Sequence, residues 1–187
     1  MGNKISTKEK ILEAACRLFE TKGYNATGLN EILKESGAPK GSLYYHFPNG
    51  KEELALAAIN LAGENIRDNI KNNFGQISNP VEAIMGNIET IAAIIDSGQK
   101  HADISISLMA LEMYTKSESL RTACENVFVS LEKMYAEILV KSGMSKDLAG
   151  ELGETISIMI EGGITLSLTK KKGDPLRLIA KQIPNLF

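Results

Sequence analysis

Of its 187 residues the chain spends only two on cysteine, Cys16 and Cys124, and two on histidine, His46 and His101. Both cysteines fall at apolar positions of helical patterns with no signal-peptide pattern ahead of them. That argues for buried thiols in a reducing cytoplasm and against a disulfide framework. The histidines lie 55 residues apart, so neither belongs to an H-x-x-x-H metal pair. No nucleophile, base and orienting group stand together, and no metal or cofactor is called for. Long apolar runs are missing too: Thr155 to Thr169 is broken by Glu161 and two glycines, and is too short to span a bilayer. Nor does charge of one sign dominate. The net charge is −2, so any basic surface for nucleic acid must be local. Residues 1–53 carry eight Lys/Arg against seven Asp/Glu, and the rest thirteen against sixteen, a weak asymmetry. Internal repeats, low-complexity linkers and convincing strands are also absent. Met1-Gly2-Asn3-Lys4-Ile5-Ser6 fits the short myristoylation template. With nothing else pointing to a membrane, it reads as a polar arm ahead of the first helix.

What is present is ordinary globular composition, 43% apolar and 24% charged, in a length that suits one large domain or two small ones. Helical periodicity runs along nearly all of it, so the expected fold class is all-α with about nine helices. Ser6 or Thr7 caps a first helix to about Lys22, with Ile11, Leu12, Ala15, Leu18 and Phe19 along one face and Gly23 as its stop. Thr27 is the expected cap of a second helix, which presents Leu29, Ile32 and Leu33 and ends at Gly37. A third, of about two turns, follows Pro39 and stops at Pro48-Asn49-Gly50. A fourth runs from about Lys51 to Phe74. Asn79-Pro80 opens a fifth, carrying Ile84, Ile88, Ile91 and Ile95 to Ser97-Gly98. Residues 102–114 read as helix, although the alternation from Ile104 to Leu108 also suits a strand. Ser117 opens a long helix to about Lys141, Ser145 caps another to about Lys172, and Asp174-Pro175 starts the last, to roughly Ile183.

The third helix is too short to persist alone, which makes its composition informative. With Leu43 facing the core at 100° per residue, Phe47 lies about 40° away, while Gly41 and Tyr45 fall about 160° and 200° from it, directly outward. Ser42 and Tyr44 flank the outward face, Lys40 stands at the N-terminal end, and His46 lies nearer the core side. Joined to the second helix through "ESGAPK", this makes a helix-turn-helix. A rim of small, hydroxyl and cationic groups suits a DNA groove: Gly41 and Ser42 let the backbone approach, the tyrosines reach phosphates or thymine methyls, and Lys40 and Lys51 supply charge. Periodicity alone leaves open an amphipathic helix that only packs its aromatics.

The segment "ILEAACRLFETKGYNATGLNEILKESGAPKGSLYYHFPNGKEELALAAI", Ile11 to Ile59, resembles the DNA-binding domain of the TetR family of bacterial repressors. Most members place two residues between Phe and Lys, whereas here "PNG" intervenes, as in the LmrA/YxaF-like subgroup; "EGGITLSLTKKKGDPL" near the C-terminus is similar to that subgroup as well. The resemblance implies a helix-turn-helix DNA-binding domain over residues 1–52 and a ligand-sensing and dimerisation domain over 53–187. It implies Thr27 and Asn30 on the DNA backbone, and Lys40, Gly41 and Ser42 facing the groove. Tyr44, Tyr45 and His46 would meet phosphates or base edges, and Lys51 would hold a phosphate. For His46 a half-buried place at the domain seam is an equal reading.

In the last long helix Leu148, Leu152, Ile156, Met159, Gly163 and Leu166 step as a bundle seam. Gly150, Gly153, Gly162 and Gly163 each cost about 1 kcal/mol against Ala, which suggests close helix approach or room for a ligand. By resemblance, helices around 118–141 and 147–171 form a four-helix homodimer interface. Lys170-Lys171-Lys172 reads as a solvated helix end rather than a second nucleic-acid patch. The resemblance also implies a pocket for an aromatic or drug-like effector, flavonoids included. Its candidates are Met85, Ile88, Met109, Met113, Tyr114, Phe128 and Met159, with Ala92 leaving space; plain core packing is the other reading of each. The expected partners are therefore double-stranded operator DNA, a small hydrophobic effector and a second copy of the chain, with no membrane. A helical protein-binding adaptor and an all-α small-molecule enzyme remain as alternatives.

Overall fold

The structure is a computed structural model that describes residues 6–74, 79–98 and 106–187. Residues 1–5 of the myristoylation template and residues 104–105 of the alternation from Ile104 to Leu108 lie outside the described residues; the rest of that alternation, from Ile106, is helix. Among the described residues nine α-helices follow one another and no strand occurs. They are α1 Thr7–Ala26, α2 Leu29–Ser36, α3 Lys40–His46, α4 Lys51–Phe74, α5 Pro80–Asp96, α6 Ile106–Met113, α7 Glu118–Lys141, α8 Lys146–Lys170 and α9 Asp174–Gln182, closed by a 3-10 turn, Ile183–Leu186. The chain packs as two compact units, one of residues 1–65 with 102–127, the other of 66–101 with 128–187. The division between these compact units falls inside α4 and α7.

In the first unit α1 packs on α2, α3 and α6. Ser6 caps α1 with a reciprocal box: its hydroxyl accepts from Glu9 N at 3.2 Å, and Glu9 Oε2 accepts from Ser6 N at 2.7 Å. The core gathers Ile11, Leu18 and Phe19 of α1, Ile32 of α2, Leu43 and Phe47, Leu54 and Ile59 of α4, and Met109 and Met113 of α6. Burying Leu43 and Phe47 contributes about 1.5–3 kcal/mol each, which holds a helix of two turns in place. Gly37 closes α2 in the left-handed region, at φ 65°. Gly23 sits at φ 77° and ψ 171°, a conformation open essentially to glycine, so α1 breaks there and takes one more turn to Ala26.

Thr27 departs from expectation. The cap of α2 is Gly28, with no side-chain capping bond. Thr27 is only 1% exposed, and its hydroxyl turns inward to Gly23 O at 2.8 Å. The chain resumes a turn after Gly23, and that turn points the hydroxyl back at the break.

In the second unit α5 packs against α9 and α8, and α9 against α8. Asn79 Oδ1 caps α5 by accepting from Val81 N at 2.9 Å. Arg177 of α9 bonds Glu89 at 2.8 Å and Asp96 at 2.6 Å on α5. The Gly173 amide, then Arg177, hold the Asp96 carboxyl below its ordinary range. Inside, Asn87 Nδ2 donates to the Tyr135 hydroxyl at 3.2 Å, and burial pushes that phenol well up.

The seam of α8 coincides with the expected one at Ile156 and Gly163 and departs from it elsewhere. Its buried stripe is Ala149, Gly153, Ile156, Ile160, Gly163 and Ser167; Leu148 and Leu166 point out. The expected pattern followed the larger side chains, but small residues face the neighbours because helices approach closely there. A Cβ on Gly153 would stand 2.6 Å from Glu132 O on α7, and one on Gly163 would run into Leu176 and Ile179 of α9; at Gly150 and Gly162 the space is open.

Candidate nucleic-acid interface

Pro39 at φ −68° leads into α3, and the turn at Gly50, φ 66°, closes behind it. Between them the outward face is as the angular reading expects. Tyr45 is 81% exposed and Tyr44 45%, Lys40 and Gly41 are exposed, and nothing stands within 4 Å of a Cβ built on Gly41. Ser42 is half-buried beside them and Asn30 is exposed on α2. The Tyr44 ring lies over the Gly50 turn, 3.8 Å from that residue's built Cβ. His46 is half-buried, its ring edge-on to Tyr45 with centroids 4.9 Å apart, so it shares the surface and supports its neighbour.

Lys51, whose direction the inserted "PNG" leaves open, places its ammonium 4.2 Å from the centroid of the Tyr24 ring. Partial burial lowers the Lys51 pKa, and the Glu112 carboxylate acts against that. Next to it, Glu52 Oε1 accepts from the Ser117 and Ser119 hydroxyls, both at 2.6 Å, and these bonds hold its carboxyl below the ordinary range. Arg17 and Glu35 pair at 2.8 Å, and Lys22 pairs with Glu31, so these cations of α1 are engaged with α2.

The nine expected DNA residues therefore separate. Asn30, Lys40, Gly41, Ser42, Tyr44, Tyr45, His46 and Lys51 retain exposed or half-exposed surface, whereas Thr27 is interior and offers no hydroxyl to a ligand. Two residues that the sequence does not single out stand beside Lys51. Tyr24 carries a weak signal, an aromatic after the helix-ending glycine. Glu112 carries none, since it lies 88 residues from the Tyr24 amide from which it accepts.

The expected effector residues divide between the two units. Met109 and Met113 are buried in the first, and Tyr114, just past α6, is 66% exposed. Tyr114 thus does not line an interior pocket. In the second, Ile88 and Ala92 are fully buried, and the Ala92 carbonyl would stand 2.6 Å from a Cβ on Gly173. Ala92 leaves room for α9 rather than for a ligand. Met85 and Phe128 are half-buried. Met159 lies on an open groove of about 650 Å³ along α8 and α9, shared with Ile158, Leu166, Lys170, Lys172 and Leu178.

A three-helix head with a short outward helix has the helix-turn-helix arrangement. Residues 11–58 match the bacterial regulatory proteins of the tetR family, and residues 80–182 the C-terminal domain of LmrA/YxaF-like transcriptional regulators. The HTH-type transcriptional regulator YxaF of Bacillus subtilis, itself described as uncharacterized, is 48% identical over 186 residues, covering 100% of this chain and 97% of that one. LmrA of the same organism is 44% identical over 181 residues, covering 97% and 96%. A crystal structure of a TetR transcriptional regulator from Legionella pneumophila superposes with a TM-score of 0.83 at 23% identity, covering 98% of each chain, and shows the shared fold. The chain belongs to the TetR family: it is a helix-turn-helix transcriptional regulator, and these relatives are regulators rather than enzymes.

Proposed function

We propose that the chain is a cytoplasmic, ligand-responsive repressor that grips near-palindromic operator DNA as a homodimer and releases it when a small hydrophobic or aromatic effector binds. The observation that carries this reading is α3 itself, with Leu43 and Phe47 inside and Gly41, Ser42, Tyr44 and Tyr45 outside. Lys40 and Ser42 read bases. Tyr44, Tyr45 and His46 meet phosphates or base edges, Asn30 meets the backbone, and Lys51 holds a phosphate.

The second copy docks on α8 and α9. Ile158 is 64% exposed, Leu166 53% and Leu178 62%, whereas the exposed positions of α7, Glu118, Ser119, Glu125, Asn126, Lys133, Glu137 and Lys141, are all polar. The polar exposed positions of α7 favour α8 with α9 as the centre of the interface over the 118–141 and 147–171 pair. Dimerisation sets two α3 helices about 34–36 Å apart, one turn of DNA.

The effector reading rests on the LmrA/YxaF-like match and on adaptable methionines in the helical interior. The ligand must favour the state that cannot hold DNA, and a coupling of about 1–3 kcal/mol would weaken operator binding roughly 5–150-fold. A gel shift on the chain's own upstream DNA tests the regulator, because binding should collapse as salt rises. Reciprocity tests the coupling: saturating DNA should weaken effector binding by the same factor, and equal affinities would exclude it.

A further inference from the structure

Two side chains converge on one peptide bond in the first unit. Between Gly23 and Tyr24, the carbonyl oxygen receives the Thr27 hydroxyl at 2.8 Å, and the amide donates to Glu112 Oε2 at 2.6 Å. Glu112 comes from α6, and its carboxylate occupies the space where a side chain on residue 23 would begin: a Cβ on Gly23 would stand 2.7 Å from Oε1. Glycine is thus needed here twice, for its φ of 77° and for the room it leaves. With both ends of the peptide held, Tyr24 has a fixed start, and its ring is the platform under the Lys51 ammonium. One residue on, Lys116 Nζ reaches Asn25 Oδ1 at 3.3 Å, so the end of α6 and the loop after it grip the same turn twice.

We infer that Glu112 is a positioning residue for DNA binding: by holding the Gly23–Tyr24 peptide it fixes the Tyr24 ring and, through it, the Lys51 ammonium at the edge of the DNA-facing surface. Glu112 touches no DNA in this scheme. The inference rests on the reading of Lys51 as a phosphate contact. It reassigns Thr27 to the same task, and it makes α6 an element whose displacement alters the head's charge placement.

The sign of one mutation separates this from the plain alternative. A carboxylate that merely stands near DNA repels phosphate, so deleting it would tighten binding. A positioning carboxylate does the opposite. The probe is a labelled mixed-sequence duplex of about 30 base pairs, titrated with salt, since phosphate contacts need no operator. Glu112→Ala should weaken binding about three- to tenfold and flatten the logarithmic salt slope by up to about one. Glu112→Gln keeps an acceptor for the Tyr24 amide and should bind within about twofold of the parent. Lys51→Ala should reproduce the loss, and the double variant Lys51→Ala, Glu112→Ala should be no weaker than Lys51→Ala alone. Tighter or unchanged binding by Glu112→Ala, or losses that multiply in the double variant, would overturn the inference. Should Glu112→Ala fail to fold, Tyr24→Leu answers the same question, with an unchanged salt slope counting against the proposal. A parent chain that ignores the duplex at low salt removes the DNA reading itself, which is a different failure.

Discussion

Two exposed surfaces of this molecule are built from opposite materials. On α3 the exposed side chains are tyrosines and a lysine around a bare glycine. Along the groove of α8 and α9 they include Ile158, Leu166 and Leu178, with Lys170, Lys172 and Asp174 among the polar residues that line it. Apolar side chains left in water on both sides of a groove call for an occupant that is itself apolar, as a second copy is. Hydroxyls and cations on a two-turn helix call for an occupant that accepts hydrogen bonds and carries negative charge. Both surfaces depend on small residues, but differently: Gly41 leaves space in front of α3, while Gly153 and Gly163 let neighbouring helices close in behind the α8 surface.

The sharpest way to break the comparison is to put charge on the apolar face. Ile158→Asp should dissociate the dimer in sedimentation and, by removing the linkage of two heads, lower operator affinity on the order of 100-fold or more although α3 is untouched. A variant that stays dimeric would show that the copies meet elsewhere. Next in size is Tyr45→Ala. Removing the most exposed aromatic of α3 should cost roughly tenfold in operator affinity while dimer and thermal midpoint stay as they are. Unchanged affinity would leave α3 as mere packing.

A third pair of variants probes what lies beneath the α8 surface. Gly153→Ala forces a methyl against two backbone atoms of α7, Glu132 O at 2.6 Å and Ala136 N at 2.9 Å, which cannot swing aside as a side chain can. Chemical denaturation should show a loss of about 1–3 kcal/mol. Gly150→Ala, one turn earlier in open space, should instead gain about 0.5–1 kcal/mol from helix propensity. Equal effects at the two sites would mean that α7 and α8 do not approach as closely as described.

These tests also mark how far the sequence alone reaches. Helix ends were legible wherever a cap or breaker acts locally: Ser6, Gly37, Asn79-Pro80 and Ser145 each sit at the expected boundary. The outward face of α3 was legible because two buried residues, Leu43 and Phe47, fix its rotation. Thr27 misled because threonine before an apolar run is a good cap, and only the turn after Gly23 reveals that its hydroxyl is spent inward. The α8 seam was legible at Ile156 and Gly163 but not at Ala149, Gly153 or Ser167, because hydrophobic size is visible in a sequence and close approach is not. Glu112 could not be found at all, since its partner comes from a distant part of the chain. Of the effector candidates, Ile88, Met109 and Met113 satisfy a pocket pattern and a core pattern equally, and periodicity cannot separate the two.

The smallest effect belongs to the lysine run that ends α8. Lys171 closes the helix at φ 53°, the one described residue other than glycine with positive φ, and its amide and that of Lys172 return to Leu168 O and Ser167 O. That is a Schellman-like ending which glycine adopts without the clash of a Cβ against the carbonyl. The same freedom makes glycine costlier to order, so the two terms oppose each other. Lys171→Gly should therefore stabilise by only a few tenths to about 1 kcal/mol, read as a small rise in thermal midpoint. Operator affinity should not change, because these cations complement the carbonyl end of the helix and not a nucleic acid. Were DNA binding to fall while stability rose, the run would have to be counted as a second basic contact, and the contrast between a DNA-facing head and an apolar, self-facing C-terminal unit would no longer hold.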